Sequence, residues 1–282
     1  MRKESTEASS NCFENFEIDL PVHGKEKVEK INAEVVTTEQ ILGWSDVAQR
    51  KLKTELEHLI SVGFPKISEK DQRMYVGFFF RRLSGNFHGQ TILFRNERNE
   101  LIAGIVFDFG NVEYEGKTIK TIYSILRVIS KEYQTSGLAQ FMGAKVLMEL
   151  QPDILLLTAY QSSAIHAYIR LYEKRIITGF EIYPRLEQTD GKDALVTVPF
   201  KDIDLVMHIF KQVFPGVVSY DQERINHVLS NLTVFMIRKN DHGDAYDFNP
   251  WEKNGRKDKI AEALGLTDKD GVLVTLKKII ER

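Results

Sequence analysis

Apolar and polar positions divide the chain into a polar start, a strongly patterned middle and a mixed C-terminal part. Residues 1–31 are rich in Glu, Lys and Ser without a clear period and read as a polar tail or loosely attached arm. Asn32–Thr38 is β-branched enough for a first strand. Ser45 stands where an N-cap belongs for a helix through Val62, with Val47, Leu52, Leu56, Leu59 and Ile60 on one side. Ser68 and Asp71 mark the start of a second helix, Glu69–Leu83, whose Met74, Tyr75, Phe78, Phe79 and Phe80 read as core. Polar residues and glycines from Ser84 to Gly89 end it. Gln90–Asp108 then reads as a hairpin, TILF and LIAGIVFDF around the turn RNERNE. Gly104 inside its second strand predicts a bulge or a close neighbour. GNVEYEGK follows as a looser connection.

The middle of the pattern is a strand, TIYSILRVIS, a short polar loop, and a helix from Leu138 to Leu150. Leu138, Phe141, Met142, Val146, Leu147 and Leu150 keep close to a 3.6-residue period. Asp153–Ala159 is a continuous apolar strand of the kind covered on both faces. A helix over Ser162–Lys174 follows, then strands at Phe180–Arg185 and Ala194–Phe200 joined by EQTDGKD. Residues 32–200 therefore run β, α, α, β, β, β, α, β, α, β, β.

Residues 201–282 lie outside that run. They offer a helix over Asp202–Phe214, closed by Pro215-Gly216, and a capping box at Ser219 and Gln222 for a helix through Leu232. A strand (TVFMIRK), an acidic loop, a helix near Lys257–Leu264 and the apolar segment VLVTLKKII complete the chain. A small appended domain, an arm pairing two copies as a homodimer, and an extra wall beside a substrate site are the three readings, and the sequence does not choose among them.

Composition narrows the function classes. With 282 residues, 43% hydrophobic and 28% charged, the chain is long enough for a sizeable core and is not of the disordered type. A net charge of −2 gives no reason to expect nucleic acid. The apolar runs fall short of a membrane span, and the first residues lack the apolar stretch of a signal peptide. Cys12 is the single cysteine. A cytoplasmic protein without membrane attachment is expected. Seven histidines are scattered with no HExxH and no Cys–His cluster, so no metal is expected. Asp241, Asp244 and Asp247, and Asp268 with Asp270, fill no calcium-loop pattern and read as solvated turns. His166 reads as a bystander on its helix, and Ser162 and Ser163 as caps.

The polar loop carries the chemistry. A strand that feeds a helix through Gln134-Thr135-Ser136-Gly137-Leu138-Ala139 presents first-turn N–H groups without helical partners, at the positive end of the helix dipole. Glycine is worse than alanine inside a helix by about 1 kcal/mol, so Gly137 implies a close approach of backbone to something.

This stretch resembles the acetyl-CoA-binding core of the GCN5-related N-acetyltransferases (GNAT). Their signature of Gln or Arg, two residues, Gly, one residue, then Gly or Ala is met by Gln134, Gly137 and Ala139. The element order over residues 32–200 also matches, which covers about 60% of the chain. The resemblance implies an α/β (α+β) fold with a mixed, mostly antiparallel sheet flanked by helices, followed here by a C-terminal α/β extension. It implies an acyl-CoA-dependent N-acyltransferase taking acetyl from acetyl-CoA, as co-substrate, to an amine acceptor whose class the sequence leaves open. Backbone N–H groups of Arg127, Val128 and Ile129 are then expected at the thioester carbonyl, and those of Thr135, Ser136, Gly137, Leu138 and Ala139 at the diphosphate. The family's pattern Asn, two residues, Ala, three residues, Tyr is matched by Gln161, Ala164 and Tyr168, with Gln in place of Asn. Tyr168 is expected to protonate the leaving thiolate, with Tyr172 one turn later as the other register. Some members carry a glutamate on the central strand, but Ile119–Ile129 holds no carboxylate. Glu113, Glu115, Glu132 and Asp108 are the nearest acids; each is open to two readings, a general base acting through a water chain or, the favoured one, solvated loop charge. A catalytically inactive binding module of the same fold is the alternative.

Overall fold

The computed structural model describes residues 13–21, 28–65, 68–81, 87–159, 162–189, 191–213, 236–238, 252–253, 256–264, 266 and 270–279. In chain order it opens with strands β1 (Phe16–Pro21) and β2 (Val28–Thr37). Helices α1 (Thr38–Gly43), α2 (Asp46–Gly63) and α3 (Glu69–Phe79) follow. Next come strands β3 (Phe87–Arg95), β4 (Leu101–Tyr114) and β5 (Lys117–Ile129). A 3-10 turn (Lys131–Tyr133) leads into α4 (Leu138–Leu150), β6 (Ile154–Ala159) and α5 (Ser162–Glu173). The later elements are β7 (Phe180–Tyr183), β8 (Arg185–Thr189), β9 (Lys192–Val196) and α6 (Phe200–Val213). Beyond them lie β10 (Met236–Arg238), β11 (Glu252–Lys253), β12 (Arg256–Lys257), α7 (Lys259–Ala263) and β13 (Asp270–Lys278).

The helices begin where side chains can hold their first N–H groups. Ser45 Oγ accepts from Ala48 N at 3.3 Å and Ser68 Oγ from Asp71 N at 3.1 Å. Thr37 and Gln40 form a reciprocal capping box before α1.

Nine strands form one sheet, in the order β1-β2-β3-β4-β5-β6-β13-β10, with β7 also paired to β13. Every pairing is antiparallel except β5 with β6. Period-two alternation sends side chains to two cores. Ile105, Phe107 and Ile122 join Leu138, Met142, Tyr168 and Ile260 beneath α4, α5 and α7. On the other face Val106, Leu126 and Val128 pack under α2 and α3, and Tyr123, Leu156 and Leu273 under α6.

Four expectations change. The polar arm assigned to residues 1–31 contains β1, which pairs with β2 from Phe16↔Ala33 to Pro21↔Val28 and so adds an edge to the sheet. Phe16, Ile18 and Leu20 alternate with polar neighbours, which is the physical reason it pairs. GNVEYEGK is no loose connection but a tight hairpin, with Glu115 at φ 48° and Gly116 at φ 73°. The boundary at residue 200 does not separate the sheet from an extension. β13 lies between β6 and β7, pairing with Ile154–Ala159 on one side and Phe180–Tyr183 on the other. The strand pair closing the sheet is therefore β7 with β13. The hairpin expected of Phe180–Arg185 and Ala194–Phe200 is present at shifted bounds, β8 pairing with β9 from Arg185↔Val196 to Thr189↔Lys192, but as a separate two-stranded sheet rather than as part of the main one. The helix expected from Ser219 and most of the acidic loop lie outside the described residues.

Gly104 has the close neighbour its position implied. A Cβ there would stand 2.9 Å from the Phe79 ring, so α3 reaches the sheet because this residue has no side chain.

Candidate active site

The site begins with a register fault. Val106 faces Leu126 but Phe107 faces Ser124, so Ile125 is an extra residue in β5. A bulge bends its strand and strengthens the local twist. Up to that point β5 pairs with β6, Thr121↔Ile154 to Ser124↔Leu157. Beyond it the two strands share no pairing, although β5 runs on to Ile129 and β6 to Ala159. The sheet is open between β5 and β6, its only parallel strands among the described residues.

The backbone direction along the open edge follows from one bond. Ser130 N–H donates to Ile102 O on β4 at 2.8 Å. Alternation then turns the N–H of Val128 toward β4, and those of Arg127 and Ile129 toward the opening. The Ile129 carbonyl, on the same side, accepts from Gln134 Nε2 at 3.1 Å. Of the three amides expected here, two face the opening and Val128's is used within the sheet.

The loop after β5 is tied down at both ends. Tyr133 is buried, and its hydroxyl donates to Glu29 of β2 at 2.6 Å. Burial, then that carboxylate, pushes the phenol up to about 12. Gln134 Nε2 also reaches Gly63 O at the end of α2, at 3.2 Å. Ser136 N–H donates to Tyr133 O at 3.1 Å and Leu138 N–H to Ser136 Oγ at 3.3 Å, so these two amides are satisfied inside the loop. Among the described residues the N–H groups of Thr135, Gly137 and Ala139, with Gln140, have no acceptor. They stand at the start of a 13-residue helix with no acidic residue in its first turn, which is a favourable surrounding for an anion.

Gly137 caps α4 at φ 86°, ψ 0°, and nothing lies within 4 Å of where a Cβ would be. Space is open there, but the conformation is left-handed. Gly137→Ala is expected to lower stability by about 1–2 kcal/mol, the cost of holding an L-residue in that region. Urea unfolding should show the lower midpoint with an unchanged slope.

Tyr168 lies on α5, 1% exposed, against Gly143 of α4, where an added Cβ would stand 3.0 Å from its ring. Its hydroxyl makes no hydrogen bond among the described residues. The Arg127 guanidinium lies 5.0 Å from its ring centroid and donates to Ala139 O at 3.0 Å. Tyr172, half-buried one turn farther from β6, lies 5.4 Å below the Arg185 guanidinium. Ala164 packs at the edge of the same core, while Gln161 lies outside the described residues.

The acids fall into two groups. Glu113, Glu115 and Glu132 are exposed, the first two in the β4–β5 hairpin at the end of β5 away from the opening. Asp108 is not solvated as expected: it is 2% exposed and ion-paired with Arg81, just after α3. It sits across the β4–β5 pair from Tyr123, whose hydroxyl bonds Thr158 of β6 where the strands part. Burial lowers the Arg81 pKa. Sequence reasoning missed Arg81, Tyr123 and Thr158; a charged residue in an otherwise apolar strand was the available signal. His166 is not a bystander either. Its Nε2 lies 2.5 Å from Asp258, which also caps α7. Burial pushes the Asp258 carboxyl up, but His166 and the N–H groups of Ala261 and Ile260 hold it below its ordinary value. No group of three or more potential metal-ligating side chains occurs among the described residues, and no helix among them is long and apolar enough to cross a membrane.

No family model and no curated protein matches this sequence. Among solved structures, the chain is similar to a GNAT-family acetyltransferase from Staphylococcus aureus Mu50, at 18% identity and TM-score 0.34, over 58% of this chain and 95% of that one. It is similar to a histone acetyltransferase HPA2-related protein from Corynebacterium glutamicum at 12% identity and TM-score 0.33, over 58% and 93%. A third similarity, at 16% identity and TM-score 0.32 over 57% and 95%, is to a chain of the NatC complex solved with Gag peptide and CoA. What the chain shares with them is the general fold: a mixed, mostly antiparallel sheet with helices on both faces, here open between β5 and β6 ahead of a glycine-capped helix.

Proposed function

We propose that this protein is an acyl-CoA-dependent N-acyltransferase that uses acetyl-CoA as co-substrate and transfers the acetyl group directly to an amine. The observation that carries this reading is the continuity of donors along one opening. The outward N–H groups of Arg127 and Ile129 lead to the acceptor-less amides of Thr135, Gly137, Ala139 and Gln140. The residues fit a nucleotide diphosphate: several neighbouring amides without acceptors among the described residues, a helix start without acidic residues, and a glycine with open space where a Cβ would be. When bound, acetyl-CoA supplies an activated acyl group on a thiol leaving group.

The chain's own residues divide the work. Thr135, Gly137 and Ala139 hold phosphate oxygens through backbone N–H, so the binding does not depend on their side chains. Gln134 fixes the loop by bridging Gly63 and Ile129. Arg127 and Ile129 present N–H groups to developing carbonyl charge, which fixed dipoles stabilise without reorganisation. Tyr168 holds the proton that a departing thiolate needs, since a thiol has a reference pKa near ~8.5.

The test is thermal unfolding with added acetyl-CoA. A ligand bound only by the folded state stabilises it by about 2.7 kcal/mol at a hundred times its dissociation constant, so the midpoint should climb steadily through the titration. An unmoved midpoint at millimolar acetyl-CoA would overturn the proposal.

A further inference from the structure

Arg127 does something its place on the strand does not require. Its backbone faces the opening, while its side chain crosses to the helical face and joins two elements: the α4 first turn, through the Ala139 carbonyl at 3.0 Å, and α5, through the Tyr168 ring at 5.0 Å. It is half-buried and has no carboxylate partner among the described residues. A cation beside the N-terminal turn of a helix stands at the unfavourable end of the dipole. Contact with the ring face offsets part of that cost. The guanidinium thus occupies a position that an anion at the loop would stabilise, and it shares that position with Tyr168.

We propose that Arg127 is a positioning residue that sets the Tyr168 ring and couples it to occupancy of the Thr135–Ala139 loop. An anion on the loop amides draws the guanidinium and the first turn of α4 together. The ring stacked against that guanidinium then settles in one orientation. Arginine suits this because its planar group can donate to a carbonyl in its own plane while stacking on a ring with its face; lysine offers a point charge only. This inference rests on the acyltransferase reading for its catalytic consequence, but its structural half can be measured without turnover.

The full chain labelled with 3-fluorotyrosine provides the readout, the Tyr168 fluorine signal being assigned by its loss in Tyr168→Phe. CoA titration should move that signal in the parent protein. In Arg127→Met, CoA should still bind by calorimetry with a dissociation constant raised no more than tenfold, while the Tyr168 signal stays still. In Arg127→Lys the signal should move by less than half of the parent shift. In turnover, Arg127→Met should lower kcat about tenfold with KM for acetyl-CoA changed less than threefold. The same substitution in a Tyr168→Phe background should cost less than twofold further, because an effect exerted through Tyr168 vanishes with its hydroxyl. An equal CoA-induced movement in Arg127→Met, or a full tenfold loss in both backgrounds, overturns the proposal. Failure of CoA to bind the parent protein overturns the acyltransferase reading and this one with it, and is distinguishable because it occurs before any substitution. If Arg127→Met does not fold, Arg127→Lys decides: an unreduced signal movement there overturns the coupling.

Discussion

A chain cut before Asp270 is expected to lose its cooperative fold. The removed residues include β13, in which Val272, Leu273, Val274, Thr275 and Leu276 are each at most 1% exposed. The two valines and two leucines alone bury side chains worth about 1.5–3 kcal/mol each, or about 6–12 kcal/mol together. That sum is comparable to the whole net stability of an ordinary domain, about 5–15 kcal/mol. The loss would also strip β6 of one neighbour and β7 of its sheet partner, leaving ladder groups of buried strands without acceptors. Near-UV circular dichroism during heating should show one sharp transition for the full chain and none for residues 1–269. A truncated chain melting within a few degrees of the parent would show that the sheet stands without its closing strand.

That expectation also marks where the sequence stopped being informative. From Ser45 to Glu173 most elements announce themselves locally, the β4–β5 hairpin at Glu115-Gly116 excepted. Ser45 and Ser68 cap the helices they precede, apolar spacing switches from two to 3.6 at Leu138, and Gly137 is needed for a left-handed turn. VLVTL is legible as an apolar segment, but no residue within it says which edge it joins. Its partners, Ile154–Ala159 and Phe180–Tyr183, are about a hundred residues away, and only the exposed edge of β6 in three dimensions selects it. The N-terminal arm failed for a different reason. Its alternation is real but short, and one helical or charged neighbour is enough to hide six residues.

The site shows the same division. Gln134, Gly137 and Ala139 form a local pattern because a tight turn and a helix start are local events. The opening beside them depends on Ile125 slipping out of register between two strands, and nothing in TIYSILRVIS reveals a bulge. The side-chain roles of Arg127, Asp108 and Tyr123 are tertiary. Arg127 reaches Ala139 twelve residues on, and Tyr123 reaches Thr158 thirty-five residues on. Asp108 looked like a hairpin end because its partner, Arg81, lies beyond α3.

Tyr168→Phe carries the largest expected effect on catalysis. General acid assistance typically contributes about 10²–10⁴-fold to a rate, so kcat should fall at least a hundredfold at neutral pH. KM for acetyl-CoA should change little, because the groups assigned to the diphosphate are backbone amides of the loop. The substitution is unusually clean. Removing a hydroxyl commonly leaves a buried partner unsatisfied, at about 1–3 kcal/mol, but this hydroxyl makes no hydrogen bond among the described residues. The ring keeps its contacts with Gly143 and Arg127, so the melting temperature should stay within a few degrees and lost rate cannot be assigned to lost fold. Tyr172→Phe is the matched control. Tyr172 packs under Arg185 one helical turn beyond Tyr168, and its variant should keep at least half the parental kcat. Thiol release measured with an amine panel separates the two. A Tyr168→Phe enzyme that turns over within threefold of the parent, or a Tyr172→Phe enzyme that fails, would move the proton donor elsewhere.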